Sequence, residues 1–166
     1  MIYLKIFLRF LRLLFATNFK SIVVGKNLAI SYGVKIYPSQ YVNIGDNVMI
    51  GRDVIISTSK SGRSPISIGN NVMIAHRSLI IGGNHEYSRT DIPINIQGEG
   101  VQGAIIVEDD VWIGAGCIIL SGVRIGKGSI IGSGSIVIKD IPKYSIAVGN
   151  PAKVIKNRKN EIISQK

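Results

Sequence analysis

Between Val107 and Val137 an aliphatic residue returns at every sixth position: Val107, Ile113, Ile119, Ile125, Ile131 and Val137. A helix repeats its apolar face at about 3.6 residues and a half-buried strand at about 2, so a period of six belongs to neither. It demands a change of chain direction within every six residues, and few folds can supply one.

The slots within each repeat say how the turn is made. The fifth residue is small or β-branched (Val111, Cys117, Val123, Ser129, Ser135), as expected if it points inward together with the aliphatic first residue. Between them lie Asp109-Asp110, Ala115-Gly116, Ser121-Gly122, Lys127-Gly128 and Ser133-Gly134. The second member of each pair is Gly or Asp, residues that enter the left-handed backbone region with little strain, so a sharp corner is expected at each. Three such sides close one triangular coil, which makes the chain an all-β, hexapeptide-repeat parallel β-helix.

The same count runs through most of the chain. Val24, Ile30 and Ile36 form one group of three, Ile44, Ile50 and Ile56 a second, and Ile68, Ile74 and Ile80 a third, with corners at Asn27, Gly33, Asn47, Asp53, Asn71 and Arg77. With two more groups from Val107 to Val137, five stacked coils are predicted over residues 24–139. At a spacing of ~4.8 Å per coil the stack is on the order of 24 Å tall. The register is broken around Pro38, by SGRSP after Ile56, and between Ile80 and Val107, where the long polar loop GGNHEYSRTDIPINIQGEGVQG is inserted at about 82–103. Long loops on rigid scaffolds are usually functional, and this one carries His, Asn, Glu, Tyr, Arg and Asp side chains.

Composition narrows the function classes. The 166 residues, 46% hydrophobic, suit one domain with an ample core, and the 19 glycines recur in register as corners rather than as low complexity. A single cysteine excludes an internal disulfide framework. The formal charge of +10 sits at the two ends: four basic and no acidic residues in 1–23, seven basic and two acidic in 139–166. No nucleic-acid-reading module accompanies it, so no nucleic acid is expected as partner, and the basic ends suit an anionic membrane surface and a phosphorylated small molecule. In residues 1–20, Lys5, Arg9 and Arg12 fall on one face of an otherwise apolar helix. That amphipathic helix is too charged to span a bilayer and lacks a signal cleavage site. Interfacial membrane docking and packing on the β-helix or another subunit use the same pattern, and both readings stay open. Residues 140–166 read as a basic C-terminal tail.

The repeats from Ile44 onward, NHEYS within a loop, VEDDVWIGAGCII and the ending IVIKDIPKYSIAVGNPAKVIK resemble the left-handed β-helix acyltransferases. The branch is that of the galactoside and maltose O-acetyltransferases, xenobiotic acetyltransferases and bacterial surface-polysaccharide O-acetyltransferases. The resemblance spans residues 24–158 and implies the left-handed sense of the coil, which periodicity leaves open. It implies acetyl-CoA as co-substrate, a sugar or glycan hydroxyl as acceptor, and a homotrimer with active sites between subunits. A place in surface-polysaccharide synthesis would put the protein in the cytoplasm or peripherally at the inner face of the plasma membrane. An amino-sugar N-acetyltransferase and a non-catalytic β-helix scaffold are the rival readings.

Acetyl transfer from a thioester needs a base for the acceptor proton and a grip on CoA. The resemblance assigns the base to His85, eleven residues after Ile74. His76 falls on a corner and is expected at the surface. With two histidines in the chain, the three-histidine metal site of the similar γ-class carbonic anhydrases cannot be built, and no metal is expected. Cys117 falls in an inward slot and is expected to be core, so transfer is direct from CoA to acceptor. For CoA the resemblance implies Gly114 and Ala115, Ser133, Ile138 and Lys139, with Lys153 and Lys156 standing where the galactoside branch meets the nucleotide phosphates with arginines. Trp112 either lines the pantetheine channel or covers a corner. Asn84, Glu86, Tyr87, Arg89 and Asp91 are candidate acceptor contacts, being planar polar and aromatic groups of the kind that hold sugars.

Overall fold

The computed structural model describes residues 22–160. The expected helix over 1–20 and the last residues of the tail lie outside the described residues.

The chain winds as the period of six requires. Strands β1 (Val23–Val24), β2 (Ala29–Ile30) and β3 (Lys35–Tyr37) make the first coil, and β4 (Val42–Ile44), β5 (Met49–Ile50) and β6 (Ile55–Ser57) the second. The third is β7 (Ile66–Ile68), β8 (Met73–Ile74) and β9 (Leu79–Ile81), and the fourth β10 (Ile105–Val107), β11 (Trp112–Ile113) and β12 (Ile118–Leu120). Strands β13 (Arg124–Ile125), β14 (Ile130–Ile131) and β15 (Ile136–Val137) complete the fifth. Every third strand pairs in parallel, giving three sheets: β1-β4-β7-β10-β13, the second built on β2-β5-β8-β11-β14, and the third β3-β6-β9-β12-β15.

Each aliphatic column predicted from the sequence is one ladder. Val24, Ile44, Ile68, Val107 and Ile125 stand in register on the first sheet. The second carries Ile30, Ile50, Ile74, Ile113 and Ile131, and the third Ile36, Ile56, Ile80, Ile119 and Val137. From Ile36 onward all of these are buried, together with Val48, Val54, Val72, Val111, Cys117 and Val123 from the fifth slots. Val24, on the first coil, is 40% exposed because no coil of the described residues lies beneath it.

The corners have the predicted backbone. Asn27, Asn47, Asp53, Asn71, Arg77 and Asp110 hold φ of 57 to 58°, and Gly116, Gly122, Gly128 and Gly134 are also left-handed. Between coils, the corner side chains take over hydrogen bonding that the short strands leave undone. Asp46 Oδ1 accepts the Lys26 amide at 2.6 Å, Asn70 Oδ1 the Asp46 amide at 2.8 Å and Asp109 Oδ1 the Asn70 amide at 2.8 Å. His76, exposed as expected, is part of the same system on another corner, its Nδ1 accepting the Arg52 amide at 2.8 Å.

Winding continues beyond residue 139. Ile141 bridges Ile125, and β16 (Ser145–Val148) adds in parallel to β14, so the ending read as a tail starts a sixth coil. Strand β17 (Lys153–Asn157) then returns antiparallel to β16. Its exposed lysines Lys153 and Lys156 also make it a poor template for further strand addition.

The stacking leaves no space at the start of a corner. A Cβ on Gly69 would lie 2.6 Å from Asp109 Oδ1, 2.8 Å from the Asp109 nitrogen and 2.9 Å from the Glu108 carbonyl carbon. Gly69→Ala should therefore lower stability by about 1 to 3 kcal/mol through overpacking, read as a shift of the denaturant midpoint. An unshifted midpoint would show that the coils can part here at no cost.

Candidate active site

All three register breaks open from the same corner, where the third sheet hands the chain back to the first. Residues 38–41 leave β3, 58–65 leave β6 and 82–104 leave β9, in three consecutive coils, so the insertions stack on one another. The contacts follow that order. The Tyr41 ring lies so close to Gly62 that a Cβ there would stand 2.6 Å from it. Thr58 Oγ1 donates to the Ser64 carbonyl within the second insertion. Ser64 Oγ in turn meets Gln102 Oε1 at 3.0 Å and Ser121 Oγ at 3.2 Å. Ser121, at the same corner of the fourth coil, both accepts the Gly103 amide at 3.1 Å and donates to the Gly103 carbonyl at 3.0 Å.

The long loop emerges from this stack as a narrow hairpin. His85 faces Glu99 in an antiparallel bridge, flanked by the Glu86 amide donating to the Gly98 carbonyl and the Gly100 amide to the Asn84 carbonyl, each at 3.1 Å. His85 is exposed. Glu99 Oε2 accepts from Ser61 Oγ at 2.6 Å and from Arg63 Nη2 and Nε at 2.7 and 3.2 Å. These donors, Ser61 before Arg63, hold the Glu99 carboxyl below the usual glutamate range.

Four of the five acceptor candidates use polar atoms on the loop itself. Asn84 Oδ1 accepts the His85 amide at 2.9 Å, and Glu86 Oε1 accepts the Ser88 and Tyr87 amides at 2.8 Å each, bonds that, Ser88 before Tyr87, hold the Glu86 carboxyl below the usual glutamate range. Arg89 and Asp91 pair with each other, Nε to Oδ1 at 3.0 Å with a second contact through Nη2 and Oδ2. Gln97 crosses the loop, accepting the Arg89 amide at 3.1 Å and donating to the carbonyls of Arg89 and Ile92 at 2.7 and 3.0 Å. Tyr87, 69% exposed, is presented outward beside His85.

Most of the positions expected to hold CoA lie elsewhere. Gly114 and Ala115 form the corner between the second and third sheets in the fourth coil, and Ser133 the same corner one coil on. The Ala115 amide donates to Ser133 Oγ at 3.2 Å, and a Cβ on Gly114 would lie 2.6 Å from the Ser133 nitrogen. Trp112, 47% exposed, stands outward on the second sheet. Ile138 and Lys139 occupy the corner after β15, in line with the insertions. Within one chain the third sheet separates His85 from Gly114, Ala115 and Ser133. Among the described residues no three His, Cys, Asp or Glu side chains converge on a metal-sized site, and no helix is long and apolar enough to cross a membrane.

Two family models match the coils: "Bacterial transferase hexapeptide (six repeats)" over residues 104–139 and "Hexapeptide repeat of succinyl-transferase" over residues 41–76. A putative colanic acid biosynthesis acetyltransferase, WcaF of Escherichia coli, is 30% identical over 135 residues, 81% of this chain and 69% of the relative. The chain belongs to the hexapeptide-repeat acetyltransferase family. Its fold is the left-handed parallel β-helix of that family. A maltose O-acetyltransferase from Clostridium difficile superposes with a TM-score of 0.71 at 34% identity, covering 81% of this chain and 68% of that one. AntD, an N-acyltransferase from Bacillus cereus solved with dTDP and coenzyme A, superposes with a TM-score of 0.72 at 27% identity, covering 89% and 79%. The chain spans 37 to 60% of the length of five other acetyltransferases that it matches.

Ser61, Arg63 and Glu99 escaped the sequence reading because each looked like filler in a spliced segment. Their signal was positional: every break in the count of six follows a third hexad, so all the inserted residues had to meet at one corner.

As a nucleophile for this family member, Cys117 is badly placed. It is buried, its Sγ contacts the Gly132 carbonyl at 3.2 Å, and burial pushes the thiol above the usual cysteine range. An alkylating reagent at neutral pH should leave Cys117 unmodified in the native protein and label it fully once unfolded, as mass spectrometry can show. Rapid native labelling would mean the prism opens far more readily than its packing implies.

Proposed function

We propose that this chain is an acetyl-CoA-dependent O-acetyltransferase acting on a sugar hydroxyl, with His85 as general base. The observation that carries the reading is the placement of one exposed histidine on a hairpin braced against two coils of a rigid family scaffold. In the reaction, an imidazole nitrogen of His85 takes the hydroxyl proton as the acceptor oxygen attacks the thioester carbonyl. The tetrahedral intermediate collapses with loss of the CoA thiolate, which recovers the proton from the imidazolium. No covalent acyl-enzyme is formed, in keeping with the burial of Cys117.

On this reading the corner of Gly114, Ala115 and Ser133 lies along the pantetheine, with Trp112 beside it on the second sheet and Ile138 and Lys139 contributed from the corner after β15. Lys153 and Lys156 meet the nucleotide phosphates as point charges. Tyr87 offers the acceptor an aromatic face, and Asn84, Glu86, Arg89 and Asp91 shape the loop around it. The likeness to WcaF favours a surface glycan as acceptor, made on the cytoplasmic side of the membrane, with residues 1–20 as a peripheral contact. The likeness to AntD favours an amino sugar instead, and a panel of hydroxyl and amine acceptors separates the two. His85→Ala should keep the wild-type unfolding midpoint and acetyl-CoA KM while kcat falls by about 10²- to 10⁴-fold. Unchanged turnover would remove His85 from the chemistry.

The working unit on this reading is a homotrimer. Met49, Met73 and Trp112 stand in register on the outer side of the second sheet, 56, 45 and 47% exposed. Ile55, Leu79 and Ile118 do the same on the third. The outer side of the first sheet is more polar, with Asn43, Ser67, Ile106 and Arg124. Two apolar sides of a triangular prism suit a heterologous contact that closes after three copies. It sets the His85 loop of one chain beside the second sheet of the next, completing each site from two subunits. Mixing His85→Ala with Ser133→Trp under subunit exchange should restore part of the activity that each parent lacks. Mixed trimers that form and stay inactive would show that each chain holds a complete site.

A further inference from the structure

We propose that Glu99, clasped by Ser61 and Arg63, is a positioning residue that sets where His85 stands relative to the acceptor. The inference rests on the reading of His85 as the base. A base works only within hydrogen-bond reach of the proton it removes, and a displacement near 1 Å can cost about 10²-fold in rate. His85 nevertheless sits on the longest insertion in the described fold, where loop entropy works against a fixed position.

Three observations show how the position is held. First, His85 and Glu99 are directly opposed, with the flanking Glu86-Gly98 and Asn84-Gly100 hydrogen bonds of 3.1 Å leaving them as the closely spaced, non-hydrogen-bonded pair. Side chains of such a pair leave the same face, so whatever fixes Glu99 fixes its cross-strand neighbour. Second, the two strands meet at contact distance. A Cβ on Gly100 would lie 2.5 Å from the His85 carbonyl oxygen, so the strand can approach His85 only because residue 100 has no side chain. Third, Glu99 Oε2 gathers three donors from Ser61 and Arg63, which belong to the insertion one coil below. That insertion is packed on Tyr41 through Gly62 and joined to Gln102 and Ser121 through Ser64. The chain of contacts therefore runs from His85 through Glu99 to the wall of the prism.

The clasp is poorly suited to stabilising the fold as a whole. Arg63 and Glu99 side chains are 57 and 33% exposed, and ion pairs this open add little to global stability. Its effect is local, on the geometry of the hairpin, and that separates it experimentally from a structural role.

The test compares wild type with Arg63→Ala, Glu99→Gln, the swap Arg63→Glu with Glu99→Arg, and His85→Ala. Steady-state kinetics, unfolding midpoints and hydrogen exchange at the Glu86 and Gly100 amides are measured for each. Arg63→Ala and Glu99→Gln should lower kcat by about 10- to 100-fold with the acetyl-CoA KM and the midpoint unchanged, and should speed exchange at both amides. The swap should recover most of the lost kcat. A dead His85→Ala beside fully active Arg63→Ala and Glu99→Gln would overturn the clasp and leave the base. A fully active His85→Ala would overturn the base reading and the clasp with it. Loss of kcat accompanied by a lowered midpoint and a raised acetyl-CoA KM, without recovery in the swap, would reduce the clasp to ordinary structural support.

Discussion

Each interior coil of this protein pairs its backbone with the coil before it and the coil after it, and everything else in the structure depends on that stacking. Strands of two or three residues carry few ladder hydrogen bonds apiece, so a single coil in isolation could not bury its aliphatic residues or satisfy its amides. Stacked, the same coil places Ile74 between Ile50 and Ile113 and has neighbours above and below for every turn. Coil spacing is therefore fixed at the strand separation of about 4.8 Å. Corners must obey it too, which is why Gly69 and Gly114 tolerate no Cβ and why Asp46, Asn70 and Asp109 form a column of acceptors.

That constraint explains how much was legible before the structure. A residue that must stack on an identical neighbour leaves a strict period in the sequence, so all three aliphatic ladders, the left-handed corners and the burial of Cys117 could be read from spacing. Local chemistry sufficed because each position answers to its own coil and the next. The loop obeys no period. Asn84, Glu86, Arg89 and Asp91 have a composition suited to sugar binding, yet their partners are amides and charges within the same hairpin. Composition records which groups are present, and it cannot say whether they face a ligand or each other. Arg63 and Glu99 lie far apart in sequence and meet because two insertions share a corner. The continuation of winding past residue 139 was hidden for a different reason: the column position after Ile131 is Ala147, reached through a spacing that is no multiple of six from Val137.

The distribution of the insertions has its own logic. A coil can lengthen without disturbing the stack only where the extra residues leave the prism at a corner and return to it. The corner between the first and second sheets is occupied by the Asp46-Asn70-Asp109 column and by Asn27, Asn47 and Asn71, whose amides pass hydrogen bonds from coil to coil at 2.9 and 3.1 Å. At the corner between the second and third sheets His76 Nδ1 and Ser133 Oγ act likewise, accepting the amides of Arg52 and Ala115. Lengthening either one would break a column. It is at the third corner that residues 38–41, 58–65 and 82–104 depart, and there the inserted residues bond to one another, as Ser64 does to Gln102 and Ser121.

Stacked insertions then acquire a property that a lone loop lacks. Each can brace the next because consecutive coils hold their bases one strand spacing apart, so Tyr41 supports Gly62, Ser64 supports Gln102, and Arg63 reaches Glu99. A long, polar, exposed segment thereby inherits order from a scaffold that it does not enter. The general base proposed at His85 would need that order and also exposure, two demands that conflict in a buried core and in a free loop alike. A hairpin anchored at its base by Ser121 and at its middle by Glu99 satisfies both, leaving the imidazole at the surface on a backbone that the prism holds in place.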